Sequence, residues 1–151
     1  MTSAMSHTPR IEMPTTLEHR WQQLRRLESQ VTEKLERALH REHDLTLSEY
    51  SALAALVYSD DGGHLRQQVL AEAIPLNQSS VSRLVGRLER DELTERYLCQ
   101  ADRRGVYTQI TEAGRTKLAA ARPTYLRVLE DALGQVGSAD YLGKVLTDLT
   151  E

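Results

Sequence analysis

Apolar residues along the chain fall into six stretches of helical period and two of strand-like composition. From Leu17 they recur at Trp21, Leu24, Leu27, Val31, Leu35, Ala38 and Leu39, close to heptad spacing with Glu28 interrupting the stripe. Ahead of this run, Thr15-Thr16-Leu17-Glu18 has the form of a capping box, with Thr15 as N-cap and Glu18 three residues on. The pattern predicts one long helix from about Thr16 to His43. The polar Met1–Met13 is expected to fray. So long a stripe exceeds what one small domain needs, so part of it is expected to face a partner chain; an ordinary core helix is the competing reading.

A second capping pattern, Thr46 with Glu49, is bracketed by the staple pair Leu45 and Tyr50. Its helix carries Leu53, Leu56 and Val57 and should stop at Asp60-Asp61-Gly62-Gly63. His64-Leu65-Arg66 reads as a brief strand. A short third helix follows on Val69, Leu70, Ala73 and Ile74, closed by Pro75. Asn77 suits the N-cap of a fourth, with Leu76 and Val81 as staple. Val81, Leu84, Val85 and Leu88 lie at i, i+3, i+4 and i+7, which is one helical face. The opposite face holds Gln78, Ser79, Ser82, Arg83, Gly86 and Arg87.

Thr94–Gln100 and Val106–Ile110 collect the Tyr, Val, Ile and Thr that are scarce elsewhere, and they flank the charged Ala101-Asp102-Arg103-Arg104-Gly105. This predicts a β-hairpin with a basic tip. Thr111 should cap a fifth helix, from about Glu112 to Leu133, with a stripe at Leu118, Ala121, Tyr125, Leu126, Leu129, Ala132 and Leu133. Pro123 should bend it or remove one hydrogen bond. Ser138 caps a sixth helix presenting Leu142, Val145, Leu146 and Leu149.

Composition supports this reading. The 151 residues contain 23 Leu against 9 Val and 3 Ile, with no Phe and one Trp, a core chemistry that favours helices. The longest apolar run, Ala52–Val57, is far too short to span a bilayer, so no membrane partner is expected. Without a secretory h-region the expected location is the cytoplasm. A single cysteine, Cys99, excludes an internal disulfide framework.

Charge changes the picture more. The net charge is −3, yet residues 77–117 alone sum to +2 while the segments on either side are acidic. At physiological salt fields decay within about 8 Å, so a local basic face can bind phosphate on an acidic protein. Gln, Ser and Arg on the free face of the fourth helix can hydrogen-bond base edges in a major groove. No acidic residue precedes Glu89 there. Arg103 and Arg104 sit on a projection thin enough for a minor groove, whose potential attracts Arg. Helix, turn, helix and basic hairpin together make a winged helix-turn-helix. The expected fold class is mainly α, with a two-stranded wing and terminal helices for dimerisation. Its expected parts are a flexible 1–14, an N-terminal dimerisation helix 15–44, a DNA-binding domain 45–111 and C-terminal dimerisation helices 112–151.

Residues 45–117 resemble the MarR (multiple antibiotic resistance regulator) family of bacterial transcription factors. The wing signature Asp-x-Arg, then Leu-Thr-x-x-Gly, stands here as Asp102, Arg104 and Ile110-Thr111-Glu112-Ala113-Gly114, with Ile110 in place of the usual Leu. The segment Ser79-Ser80-Val81-Ser82-Arg83-Leu84-Val85, then Leu88-Glu89, is similar to the family's recognition helix. Pro75 stands where many members have Gly. The order of six helices extends the resemblance over nearly the whole chain. It implies that Gln78, Ser79, Ser82 and Arg83 face the major groove, and that Arg87 is a further candidate. It also implies that Arg104 enters the minor groove, with Arg103 near phosphate. Asp102 would brace the wing by pairing an Arg. Leu17, Trp21, Leu24, Leu142, Leu146 and Leu149 would interlock two copies. A homodimer would present its recognition helices about 34–36 Å apart to a near-palindromic operator on double-stranded DNA. The resemblance further implies a repressor released by a small-molecule effector.

Blander readings stand beside these. Arg83 and Arg87 on a lone helix would be a solvated face, and Arg103 and Arg104 merely a polar tip. Cys99 reads as a small strand residue rather than a redox sensor. His40 and His43, three apart with Glu42, lack clear further ligands, so neither metal nor cofactor is expected. Trp21 reads as core or interface, and Tyr50, Tyr58, Tyr107 and Tyr125 as core. No Gly-rich phosphate loop or G-x-S-x-G elbow is present, and the serines of the fourth helix lack a nearby His, so no enzyme is expected. The alternative to a DNA-binding regulator is a winged-helix protein-interaction module without an operator, suggested by the acidic arms.

Overall fold

The computed structural model describes residues 9–59, 62–98 and 105–134, together with Lys144. Among these residues, five helices and three strands follow one another as α1 (Thr16–His43), α2 (Leu47–Val57), β1 (His64–Arg66), α3 (Gln67–Ala73), α4 (Gln78–Arg90), β2 (Thr94–Leu98), β3 (Val106–Ile110) and α5 (Glu112–Gly134). The sixth helix expected from Ser138, with Leu142, Leu146 and Leu149, lies outside the described residues.

Helix α1 begins where the capping box predicts. Thr15 accepts from the Glu18 amide while the Glu18 carboxylate takes the Thr15 amide proton at 2.6 Å. That backbone hydrogen bond holds the Glu18 carboxyl below its ordinary pKa. The helix ends at Asp44, whose left-handed φ of 50° is tolerated by a short polar side chain. Along α1 only Leu35, Ala38 and Leu39 are buried, so the stripe divides. Its C-terminal half packs on α5. Its N-terminal half leaves Leu17 and Trp21 more than half exposed.

Three polar contacts fix α1 to its neighbours. Glu36 accepts the first amide proton of α2 from Leu47 at 2.9 Å. Arg127 of α5 forks onto both oxygens of Glu42, at 2.9 and 3.1 Å. His43 Nε2 and Thr124 Oγ1 share a 2.7 Å hydrogen bond. The helix α5 continues through Pro123, the position at which a bend or lost bond was expected. Tyr125 stacks on Tyr50 of α2, ring centroids 4.4 Å apart, and burial pushes the Tyr50 hydroxyl up to about 12. Tyr58 departs from the sequence expectation. It is the C-cap of α2 and lies 62% exposed, because its helix has ended and, among the described residues, no later element covers that end.

Helix α2 sits centrally, with Ala52, Leu53 and Leu56 fully buried. The Thr46 hydroxyl caps the Glu49 amide, but Glu49 does not complete a reciprocal box. Its carboxylate instead accepts from the Thr46 hydroxyl at 3.1 Å and points towards Arg87 of α4, 3.8 Å away. Burial raises the Glu49 pKa, outweighing the Thr46 hydrogen bond and the Arg87 charge that lower it.

The expected hairpin forms, and β1 adds a third antiparallel strand in the order β1-β3-β2. His64 faces Gln109, and Arg66 faces Tyr107 across β3, which in turn faces Tyr97. Gly62 and Gly63 lead into β1 with φ of 71° and 95°, a conformation that glycine supplies cheaply. The Gly63 carbonyl accepts from Ile110, tying β1 to the end of β3.

The base of the hairpin is joined to α5 through the Ile110-Thr111-x-x-Gly114 segment. Ile110 is buried in the core. Thr111 donates to the Glu92 carbonyl at 2.7 Å and accepts from the Gly114 amide at 3.0 Å, so one hydroxyl both locks the strand exit and caps α5. At Gly114 a Cβ would overlap the Leu93 carbonyl and press on Ile110, so only glycine lets α5 approach this closely.

Two outcomes follow from these contacts. Gly114→Ala should destabilise the fold by about 1–3 kcal/mol, the range for forced overpacking, read as a lower urea midpoint; an unchanged midpoint would remove the close-packing account. Glu49 has a folded-state pKa above its unfolded value near ~4.3, so the native state holds that proton more tightly. The associated stability is present below the unfolded pKa and lost as pH rises through the folded one. Glu49→Gln should therefore gain on the parent as urea titrations move from pH 4 to pH 8. A gap independent of pH would refute the buried-carboxylate account.

Candidate nucleic-acid interface

Helix α4 is divided sharply. Val81, Leu84, Val85 and Leu88 are at most 1% exposed, and they anchor the helix in the core below. With that side fixed, the opposite side must meet solvent. Ser79, Ser82, Arg83, Arg87 and Arg90 are all exposed. Asn77 caps the helix by accepting from the Ser80 amide at 2.9 Å. Its staple is one-sided: Val81 is buried, whereas Leu76 remains 37% exposed.

The polar residues of α4 are not equivalent. Among the described residues, no carboxylate lies in salt-bridge range of Arg83. Arg87 is shared with Glu49 of α2, and its side chain keeps 44% of its exposure. Glu89, the first acidic residue of the helix, is bonded by Arg96 of β2. This pair removes an unbalanced negative charge from α4 and ties the helix to the wing sheet. Ser82 accepts from the Gln67 side-chain amide of α3 at 3.1 Å. Gln78 opens the helix; its side chain lies outside the described residues. So do Cys99, Asp102, Arg103 and Arg104 of the hairpin tip.

Between α3, α4 and the tip-side end of β3 runs a groove of about 330 Å³, lined by Arg66, Gln67, Gln68, Ser82, Gly105 and Val106, among others. Sequence patterning missed the first three. They form a polar triplet at a strand–helix junction, where neither helical nor strand period assigns a face. Arg66 donates from Nε to the Tyr107 hydroxyl at 3.2 Å and lies 5.7 Å from that ring's centre, a cation–π arrangement. Tyr107 stacks with Tyr97, and His64 meets both rings edge-on. These residues form a ring cluster on one face of the sheet, and Arg66 joins it to the groove.

The other candidates resolve differently. His43 is engaged by Thr124, and among the described residues no three metal-ligating side chains converge. Leu17 and Trp21 stand exposed on α1, Leu24 is half-buried, and Leu142, Leu146 and Leu149 lie outside the described residues. Among the described residues no helix is long and apolar enough to cross a membrane.

This architecture recurs in solved structures. AbsC, a MarR family transcriptional regulator from Streptomyces coelicolor, is 25% identical, with 92% of this chain and 93% of that one aligned at a TM-score of 0.80. Sco3205 from the same organism, solved in complex with DNA, is 24% identical, covering 97% and 92% at 0.78. BpsR from Bordetella bronchiseptica, whose DNA binding is regulated by 6-hydroxynicotinic acid, shares the fold at 21% identity, covering 93% and 99% at 0.74. No curated protein matches the chain by sequence. Residues 43–105, which span α2 to the wing, match the MarR family profile. A family profile over residues 43–105 and a fold shared along nearly the whole chain make this protein similar to transcriptional regulators of the MarR family.

Proposed function

We propose that the protein is a homodimeric, sequence-specific DNA-binding transcriptional regulator, acting as a repressor in the cytoplasm and released by a small-molecule ligand. One observation carries the reading. The buried face of α4 forces Ser79, Ser82 and Arg83 outward beside a β-wing, and Glu89, the acidic residue next to them, is already neutralised by Arg96.

In this reading Gln78, Ser79, Ser82 and Arg83 face the major groove. Arg87 stands further back, its charge divided between Glu49 and the DNA backbone. Arg104 reaches into the minor groove, Arg103 meets phosphate and Asp102 braces the tip. Two grooves are read at once, so one phosphate strand must pass between α4 and the wing, where the groove lined by Arg66 and Gln68 lies.

Dimerisation is supported by the unburied half of the α1 stripe. Leu17 and Trp21 are 56% and 52% exposed, and Leu126 and Leu133 of α5 are also exposed. Large apolar side chains at helical spacing lower their free energy when a second chain covers them. Segments 15–44 and 112–151, with Leu24, Leu142, Leu146 and Leu149, would form that interface around the DNA-binding segment 45–111. The likeness to Sco3205, solved in complex with DNA, and to BpsR, whose DNA binding is regulated by 6-hydroxynicotinic acid, supports DNA binding and its regulation by a small molecule in this reading. The effector of this chain would sit between the dimerisation helices and the winged domain, favouring one spacing of the recognition helices.

Fluorescence anisotropy on duplexes selected from a random library tests this. The expected result is tight binding to one near-palindromic site, two protomers per duplex, falling steeply with salt. Arg83→Ala should cost about 1–3 kcal/mol and relax specificity at one base pair per half-site. Arg104→Ala should weaken all duplexes similarly and lower the salt slope by about one. Binding without sequence preference at physiological salt, or parental behaviour in both variants, would reject the proposal.

A further inference from the structure

The Ser82 hydroxyl lies on the exposed face of α4, yet it is not an unconstrained rotor. It accepts a hydrogen bond from the Gln67 side-chain amide, which comes from a different helix, at 3.1 Å. A serine hydroxyl has one hydrogen to give and two lone pairs to receive. Gln67 occupies one lone pair. Among the described residues nothing accepts the Ser82 hydrogen, and both side chains line the groove between α4 and the wing.

We infer that Gln67 is a specificity-determining residue that acts through Ser82, biasing its hydroxyl towards hydrogen-bond donation to DNA. This rests on the DNA-binding reading above and deepens it. Accepting a hydrogen bond polarises the hydroxyl and strengthens its own donation. A hydroxyl held in this state favours base edges that present acceptors in the major groove: guanine N7 and O6, adenine N7 or thymine O4. It disfavours the cytosine N4 amino group, which offers only a donor. Serine alone reads either kind of edge; with one lone pair taken and its donation strengthened by the Gln67 amide, the balance tips towards acceptors. Gln67 touches no base in this arrangement and is a positioning residue.

The chemistry reverses cleanly at one atom. In Gln67→Glu the carboxylate can only accept, so the Ser82 hydrogen turns inward and its lone pairs turn outward. The same serine then favours bases that present an amino donor. In Gln67→Met the partner is lost without adding charge, and the hydroxyl returns to a free rotor.

The experiment uses the full-length chain and duplexes carrying its selected site, with each base pair of one half-site replaced in turn. Ser82→Ala identifies the base pair that Ser82 reads, as the position where discrimination is lost. For the parent, that position should favour an acceptor by roughly three- to tenfold, the worth of one net hydrogen bond. Gln67→Met should flatten the preference there and nowhere else. Gln67→Glu should shift it towards cytosine or adenine, and its added charge should weaken all duplexes by a common factor. Thermal melting confirms that each variant is folded; should the Glu variant fail to fold, the Met variant carries the test. Unchanged preference at that position in a folded Gln67 variant, with or without uniform weakening, would overturn the inference and leave the DNA-binding reading intact. A parent chain that shows no sequence preference would overturn both.

Discussion

Burial of one side of α4 is the constraint from which the rest follows. Val81, Leu84, Val85 and Leu88 remove their side chains from water together, each with about 1.5–3 kcal/mol at stake. A helix cannot bury that face without committing the opposite one. Rotating α4 by a single residue would swing Arg83 and Arg87 in one sense, or Glu89 in the other, towards the core, where an unpaired charge is prohibitively expensive. The presentation of Ser82 and Arg83 is thus a by-product of core packing. It does not depend on any contact that those side chains make themselves.

Around this anchor, polar contacts set orientation. Glu49 links the α2 N-terminus to Arg87, Arg96 links the wing to Glu89, and Gln67 links α3 to Ser82. Each joins α4 to a different element. The exposed pair adds little to stability, since such pairs are typically worth under about 1 kcal/mol. Their effect is angular: with three struts from three directions, α4 has little freedom to roll or slide. A protein that reads base edges needs that rigidity, because hydrogen bonds weaken steeply with misalignment.

Much of this architecture was legible in the residues. Thr15 with Glu18, Thr46 and Asn77 mark three helix starts, because a side-chain oxygen at an N-cap satisfies an amide that nothing else can reach. The face of α4 was readable because four aliphatic residues recur at the helical period. Other features were hidden for identifiable reasons. Glu49 looked like the second half of a capping box, but a buried carboxylate beside an arginine from elsewhere has a better option, and local spacing cannot see Arg87. The tie from Gln67 to Ser82 crosses fifteen residues and carries no periodic signature. Tyr58 resembled core by composition and proved exposed by position. The α1 stripe reads as continuous, although among the described residues only its second half finds cover.

The junction at Thr111 and Gly114 has a mechanical consequence. Helix α5 leaves the wing at this point, clamped by the Glu92 and Leu93 backbone, and runs 23 residues to Gly134. At ~1.5 Å per residue it is a rod of about 34 Å with its fulcrum at the wing. A tilt of roughly 5° about that fulcrum carries the distal tip through ~3 Å, by the same rise per residue. Leverage runs both ways: a displacement of a few ångströms at the distal end of α5 reaches the hairpin as a few degrees of rotation, with almost no translation. Because Arg96 bonds Glu89, and Leu118 and Ala121 of α5 share the core with the buried side of α4, such a rotation carries the wing and α4 together.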